Sequence, residues 1–329
     1  MLLADEVQHF VRAPDWTWYI LFYFFLAGLS GGSYVIATLF RLRGGRSDEP
    51  AARIGYYVAF LTLPLCPILL TLDLGKPLRF WHMMWNTTPG DAGFTLKYWS
   101  PMSVGVWALV VFGAFATVSF VEALVRDQKI RLPLAQRAVR LLDGTLGKLV
   151  ITVGAVFGLF IAGYTGVLLA VSNQPVWSDT WALGGLFLAS GLSGSAALLL
   201  FLLRYRPEAE ASADTLIISE RLYALLELAL IVVFVLTLIP AGVLGIAFGF
   251  PWILLWLVAF AGLAPGIGGL LTARLAVTGE GEAVPVRSGS VATSVATSRP
   301  ASVATSVAIP GLVLLGVLAL RAAVIFSIQ

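Results

Sequence analysis

Eight separate apolar runs, each long enough to cross a bilayer, constrain this 329-residue chain more than any other feature. A spanning helix needs about 20 consecutive apolar residues, because backbone exposed to lipid must satisfy its hydrogen bonds internally. The runs lie at roughly 17–40, 55–73, 100–125, 149–171, 180–203, 219–243, 251–273 and 306–328. Hydrophobic residues make up 59% of the chain and charged residues 12%, which excludes an ordinary soluble domain. The expected fold is an all-α membrane protein with eight transmembrane helices.

Loop charge sets the expected orientation. The loops after spans 1, 3, 5 and 7 carry 16 lysines and arginines, whereas the opposite side carries 4: Arg12, Lys76, Arg79 and Lys97. Positive loops stay in the cytoplasm, so both termini are expected on the periplasmic, outer side. The formal charge of +3 is this bias and calls for no nucleic-acid partner. Span 1 is too long for a signal-peptide core and should persist as an anchor. All ten tryptophans (16, 18, 81, 85, 99, 107, 177, 181, 252 and 256) map to the outer side. They form either an interfacial aromatic belt or a docking face.

The chain divides into two expected four-helix halves, 1–175 and 176–329. The first holds the long outer loop 73–99, dense in Trp, Pro, Gly and charge; long loops of this kind tend to carry function. The second holds an inner linker, 279–310, whose SVATSVA motif starts at Ser290 and again at Ser302 and reads as low-complexity sequence. LAGLSGGS at 26–33 echoes LASGLSGS at 188–195, as a parallel duplication would produce. Gly28 with Gly32, the stripe Gly154, Gly158, Ala162 and Gly166, and Gly262 with Gly266 are spaced for close helix packing.

Chemistry inside the bundle is sparse. Cys66 is the single cysteine, and the two histidines, His9 and His82, lie outside the spans. Neither haem with paired axial histidines nor a thiolate-held iron–sulfur cluster is therefore expected in this chain. Charges within spans are costly and informative. Asp73 closes span 2, Glu227 lies inside span 6, and Glu122 and Glu220 are expected to be hydrated near inner ends. Arg321 sits about seven residues inside span 8, or ~10 Å deep, where it must meet an acid, a carbonyl or water. Pro64 and Pro67 bend span 2. Tyr19, Tyr23, Asp73 and Tyr164 then have two readings. They converge on an outer pocket with aromatic walls and protic groups, or the tyrosines are interfacial and Asp73 ends its helix.

Several motifs carry a family resemblance. WTWYILFYFFLAGLSGGSY in span 1, DLGKPLRFWHMMWN after span 2, YWSPMSVGVWAL opening span 3 and YTGVLLAVSNQPVW at 164–177 resemble the NrfD/PsrC family, membrane subunits of polysulfide-reductase-like complexes. FLASGLSGSAAL at 187–198, RLYALLELAL at 221–230 and LVLLGVLALRAAVIF at 312–326 extend the likeness along nearly the whole chain. The resemblance implies a subunit of the bacterial or archaeal cytoplasmic membrane that binds menaquinone or ubiquinone near the outer face. Its partners would be a four-cluster, ferredoxin-like iron–sulfur subunit and a molybdopterin-type catalytic subunit. It implies that Tyr164 bonds a quinone carbonyl, that Asp73 is the nearby acid, and that Trp18, Tyr19 and Tyr23 line the pocket. Some relatives carry His or Asn in this part of span 1; this chain has neither, and His82 is the candidate partner for the second carbonyl. Glu227 and Arg321 match charged family positions proposed for proton movement.

The resulting expectation is a quinone-binding subunit exchanging electrons between the quinone pool and an outer iron–sulfur partner. A secondary transporter and a passive anchor are the competing classes. Glycine-rich spans, bent helices and buried charge suit a transporter as well.

Overall fold

A computed structural model describes residues 14–131, 133–279 and 303–329. His9, Arg12 and most of the expected linker, including the first SVATSVA copy, lie outside the described residues. Among the described residues eleven α-helices run in order: α1 Trp18–Arg43, α2 Glu49–Thr62, α3 Leu65–Asp73, α4 Pro101–Arg126, α5 Pro133–Leu141, α6 Thr145–Ala170, α7 Leu183–Leu203, α8 Ala213–Leu238, α9 Leu244–Phe248, α10 Trp252–Gly279 and α11 Val303–Phe326. Eight stretches are long and apolar enough to cross a membrane, matching the sequence reading. The second stretch is divided, because Pro64 cannot donate to the ladder and α2 stops at Thr62. Pro67 falls in the first turn of α3, where its missing N–H costs nothing. The linker expectation needs one correction: α11 begins at Val303, so most of the second SVATSVA copy is helical.

Helices α1, α2, α4 and α6 pack on one another, as do α7, α8, α10 and α11, while α1 and α7 form the seam between the groups. The echoed segments meet at this seam. Aligned on their shared GLSG, the two segments place Gly28 opposite Gly191, and a Cβ built on either reaches the backbone of the other at 3.1–3.4 Å. Ser195 Oγ, matching Gly32 in the echo, donates to the Leu29 carbonyl at 3.1 Å. On the other side of α1, Gly31 lies against the Gly158 carbonyl so closely that any side chain would collide with it. In lipid, such small residues supply the close backbone approach that hydrophobicity cannot drive.

The two ends of the bundle differ. At the arginine-rich end, Glu122 accepts from Arg41 at 2.9 Å and Arg126 at 2.7 Å, and Arg126 also reaches Asp143 at 2.6 Å. Arg53 and the Tyr57 hydroxyl both bind Asp127 at 2.6 Å. Glu122 is buried, not hydrated as expected, because α1 lays Arg41 across the end of α4. At the opposite end, Trp16 stacks on Trp177 at 4.9 Å, and Trp177 Nε1 donates to the Val324 carbonyl at 2.7 Å. Those contacts bring the start of α1 and the end of α11 to one end. Trp177 and Trp256 are fully buried, so the tryptophan row divides into core residues and exposed ones.

Candidate functional site

A cavity of about 370 Å³ lies at the tryptophan end of the first group, among α1, α3, α4 and α6. Each helix contributes one stripe at helical spacing. α1 gives Ile20, Tyr23 and Phe24; α4 gives Met102, Gly105, Val106 and Leu109; α6 gives Tyr164 and Leu168. α3 contributes Pro67, Leu70 and Thr71, ending at Asp73. Phe80, Met83 and Met84 close the top from the long loop. This part of the loop forms a 3-10 helix, Pro77–Met83, followed by a two-residue antiparallel pairing of Trp85 with Phe94 and Asn86 with Gly93. The lining reaches Val110, which is half-exposed on the perimeter of the bundle.

Tyr23, Asp73 and Tyr164 are the titratable side chains that line this largely apolar space. The Tyr23 side chain is buried, lines the cavity, and makes no hydrogen bond with a described residue. Tyr164 donates its hydroxyl to the Pro101 carbonyl at 2.7 Å and stacks on Phe160 at 5.5 Å. Gly105 makes room for that phenol, since a Cβ there would run into the ring. Asp73 Oδ1 accepts from Thr17 Oγ1 at 2.7 Å, and Thr17 also caps α1 by accepting from the Tyr19 N–H. Asp73 closes the C-terminal end of α3, where the helix dipole disfavours a negative charge. Its position is thus poorly explained as a helix cap.

The other residues singled out in the sequence lie elsewhere. Trp18 is 53% exposed and packs on Tyr19 at 4.0 Å, outside the cavity lining. The buried stripe of α1 is phased on Ile20, Tyr23 and Phe24, which leaves Tyr19 at its edge. His82 lines an adjoining, more open cleft, with Nδ1 3.4 Å from Thr87 Oγ1. The loop lid of Phe80, Met83 and Met84, and Thr17 as the partner of Asp73, had no pattern in the sequence to mark them.

Glu227 and Arg321 are both buried, in the second group, away from the cavity lining. Arg321 finds carbonyls: Nη2 donates to Phe187 at 3.0 Å and Nη1 to Val317 at 3.4 Å, with the guanidinium 5.1 Å from the Phe187 ring centre. Its Nε, together with Glu227 Oε2 and Glu220 Oε1, has no hydrogen-bond partner among the described residues. Glu220 is also buried, contrary to the expectation of hydration, because Gly266 of α10 packs directly on its carboxylate.

Comparison with known proteins places the protein in a family. The family described as "Polysulphide reductase, NrfD" matches residues 6–328. A component of the polysulfide reductase of Wolinella succinogenes is 29% identical over 199 residues, covering 57% of this sequence and 58% of that protein. Protein NrfD of Escherichia coli is 29% identical over 201 residues, covering 58% and 60%. A component of the selenate reductase of Mesobacillus selenatarsenatis is 25% identical over 217 residues, covering 62% and 51%. The matched segments thus span between half and three fifths of these relatives. With eight membrane-length helices and a family match along nearly its whole length, the protein is a multi-pass integral membrane member of the NrfD family.

Proposed function

We propose that the cavity receives the ring of a menaquinone or ubiquinone, and that the protein is the quinone-exchanging membrane subunit of a respiratory oxidoreductase. One observation carries this reading: Tyr23, Asp73 and Tyr164 meet in a largely apolar cavity whose lining extends to the perimeter of the bundle. Its volume of about 370 Å³ falls within the ~300–1,000 Å³ of small-molecule sites. An apolar opening suits an isoprenoid tail, and a few convergent protic groups suit the ring oxygens. Two of the relatives are named as single components of a polysulfide reductase and of a selenate reductase, which supports the role of one subunit in a larger reductase. A multi-cluster iron–sulfur protein at the cavity end, feeding or fed by a molybdopterin-type subunit, completes the assembly. The bias of loop charge supports an orientation with that end on the outer side of the cytoplasmic membrane.

A bound quinone supplies two-electron, two-proton chemistry, and the protein supplies orientation and proton handling. Tyr23 is free to donate to a ring carbonyl. Tyr164, its own proton held by Pro101, presents an acceptor oxygen suited to the hydroxyl of the reduced form. Asp73, oriented by Thr17 and half-buried, is the proton carrier between the cavity and water. In the intact complex, Tyr23→Phe is expected to lower quinone-linked turnover on the order of tenfold through loss of one buried donor. Asp73→Asn should lower it further, since it removes the carrier. Unchanged turnover in both variants would make the protein a passive anchor.

Glu220, Glu227 and Arg321 carry buried atoms in the second group with no hydrogen-bond partner among the described residues, and such atoms call for water. We assign them to a hydrated proton path. Internal pH recorded in proteoliposomes with Glu227→Gln tests this; proton uptake equal to the parent's removes the assignment.

A further inference from the structure

The cleft that adjoins the cavity has a use of its own. It encloses about 620 Å³ and is lined by Lys76, Arg79, His82, Lys97, Ser100 and Ser103 among others, with no carboxylate in the lining. Lys76, Arg79 and Lys97 are all the loop cations among the described residues that the sequence assigns to this side. All three converge on the one cleft, all are exposed, and none forms an ion pair with a described residue. The arginine-rich end treats its cations differently, locking Arg41, Arg53 and Arg126 onto internal acids. Cations on a translocated loop run against the topological bias, so three gathered around one hollow are addressed to an external anion.

The surroundings indicate what carries that anion. The loop backbone here is irregular, which is not tolerated where it faces hydrocarbon, so the loop stands clear of the membrane core. Yet Leu78 is 88% exposed, Tyr98 79% and Trp99 68%. Large apolar side chains grouped outside the hydrocarbon and beside unpaired cations mark a protein contact. Aromatic anchors with complementary charge give such a contact strength and register.

We propose that this cleft is the docking socket for an acidic segment of the iron–sulfur partner, with one or more Asp or Glu carboxylates entering between Lys76, Arg79 and Lys97. Leu78, Tyr98 and Trp99 cover the apolar flanks of the same segment. The proposal rests on the quinone-subunit reading for the identity of the partner. The cleft and the cavity share Leu74, Met83 and Met102 as walls, so a segment seated in one lies a single side-chain layer from the other. Docking would therefore position the partner's nearest cluster beside the quinone ring.

The test uses the complex solubilised from native membranes. Carbodiimide, which joins a carboxylate to an amine in contact with it, should link Lys76 or Lys97 to an Asp or Glu of the iron–sulfur subunit. The exposed triple reversal Lys76→Glu/Arg79→Glu/Lys97→Glu should cut retention of that subunit at physiological salt by about tenfold or more. The neutral variant Lys76→Gln/Lys97→Gln should fall between this and the parent. Labelling of the protein by a photoreactive azidoquinone, whose cavity these residues do not line, should persist and so report an intact fold. Retention unaffected by the reversal overturns the proposal. So does the loss of a co-purified anionic phospholipid in the reversal, with no protein cross-link in the parent; that result assigns the cleft to a lipid headgroup. Absence of azidoquinone labelling in the parent strikes the quinone reading instead, and leaves the docking result interpretable.

Discussion

The two helix groups treat their buried acids in opposite ways. In the first, Glu122 is wrapped by Arg41 and Arg126 at 2.9 and 2.7 Å. In the second, Glu220 and Glu227 keep oxygens with no hydrogen-bond partner among the described residues, and the hydrogen bonds of Arg321 go to carbonyls. The first arrangement is a lock. It joins α1 to α4 and steadies the bundle whose other end holds the cavity. The second leaves polar atoms that only water or a moving proton can satisfy.

The largest expected effect probes the lock. Glu122→Ala removes the buried acid shared by Arg41 and Arg126, leaving them Glu49 at 3.6 Å and Asp143 at 2.6 Å, and should destabilise the protein by ~3 kcal/mol, the low end for breaking a buried pair from one side. Glu227→Gln removes an acid that has no such partner and should change stability by less than about 1 kcal/mol. Thermal unfolding of the two variants in detergent checks this, and equal losses would erase the distinction between the groups. Gly28→Ala comes next. Its Cβ would lie 2.6 Å from Arg321 Nη2, pressing on the guanidinium that bonds Phe187. A cost of ~1–3 kcal/mol in the same melts is expected for this overpacking. Near-neutral behaviour would show that Arg321 shifts freely and is not fixed at the seam. The smallest effect belongs to Tyr164→Phe. It loses one hydrogen bond to Pro101, worth about 0.5–1.5 kcal/mol. It should impair oxidation of added quinol more than reduction of added quinone, whereas Tyr23→Phe should do the reverse. Initial rates in the two directions separate the two tyrosines.

The sequence revealed much of this architecture and less of its site. Spans are legible because hydropathy over 20 residues needs no tertiary information, and close approach at positions such as Gly28 is legible because only small residues allow it. The pairing of Tyr23, Asp73 and Tyr164 around one space was one of two open readings. The phase of α1 was harder to read: Tyr19 and Tyr23 share a face by spacing, but the inward stripe centres on Ile20 and Phe24. Burial of Glu122 and Glu220 depends on which neighbours wrap the helix ends, which no local pattern encodes. The same holds for Trp177 and Trp256, interfacial by position and core by packing. His82 stands with the basic cleft because the loop folds back over the helices, a long-range event with no periodic trace.

The central claim, a quinone ring seated among Tyr23, Asp73 and Tyr164, is tested most directly by mapping where an azidoquinone attaches after illumination of the native complex. Attachment to peptides carrying residues 16–24, 67–84, 102–110 or 164–168, suppressed by excess unlabelled quinone, is the expected result. Competable attachment confined to α8, α10 or α11 would contradict it.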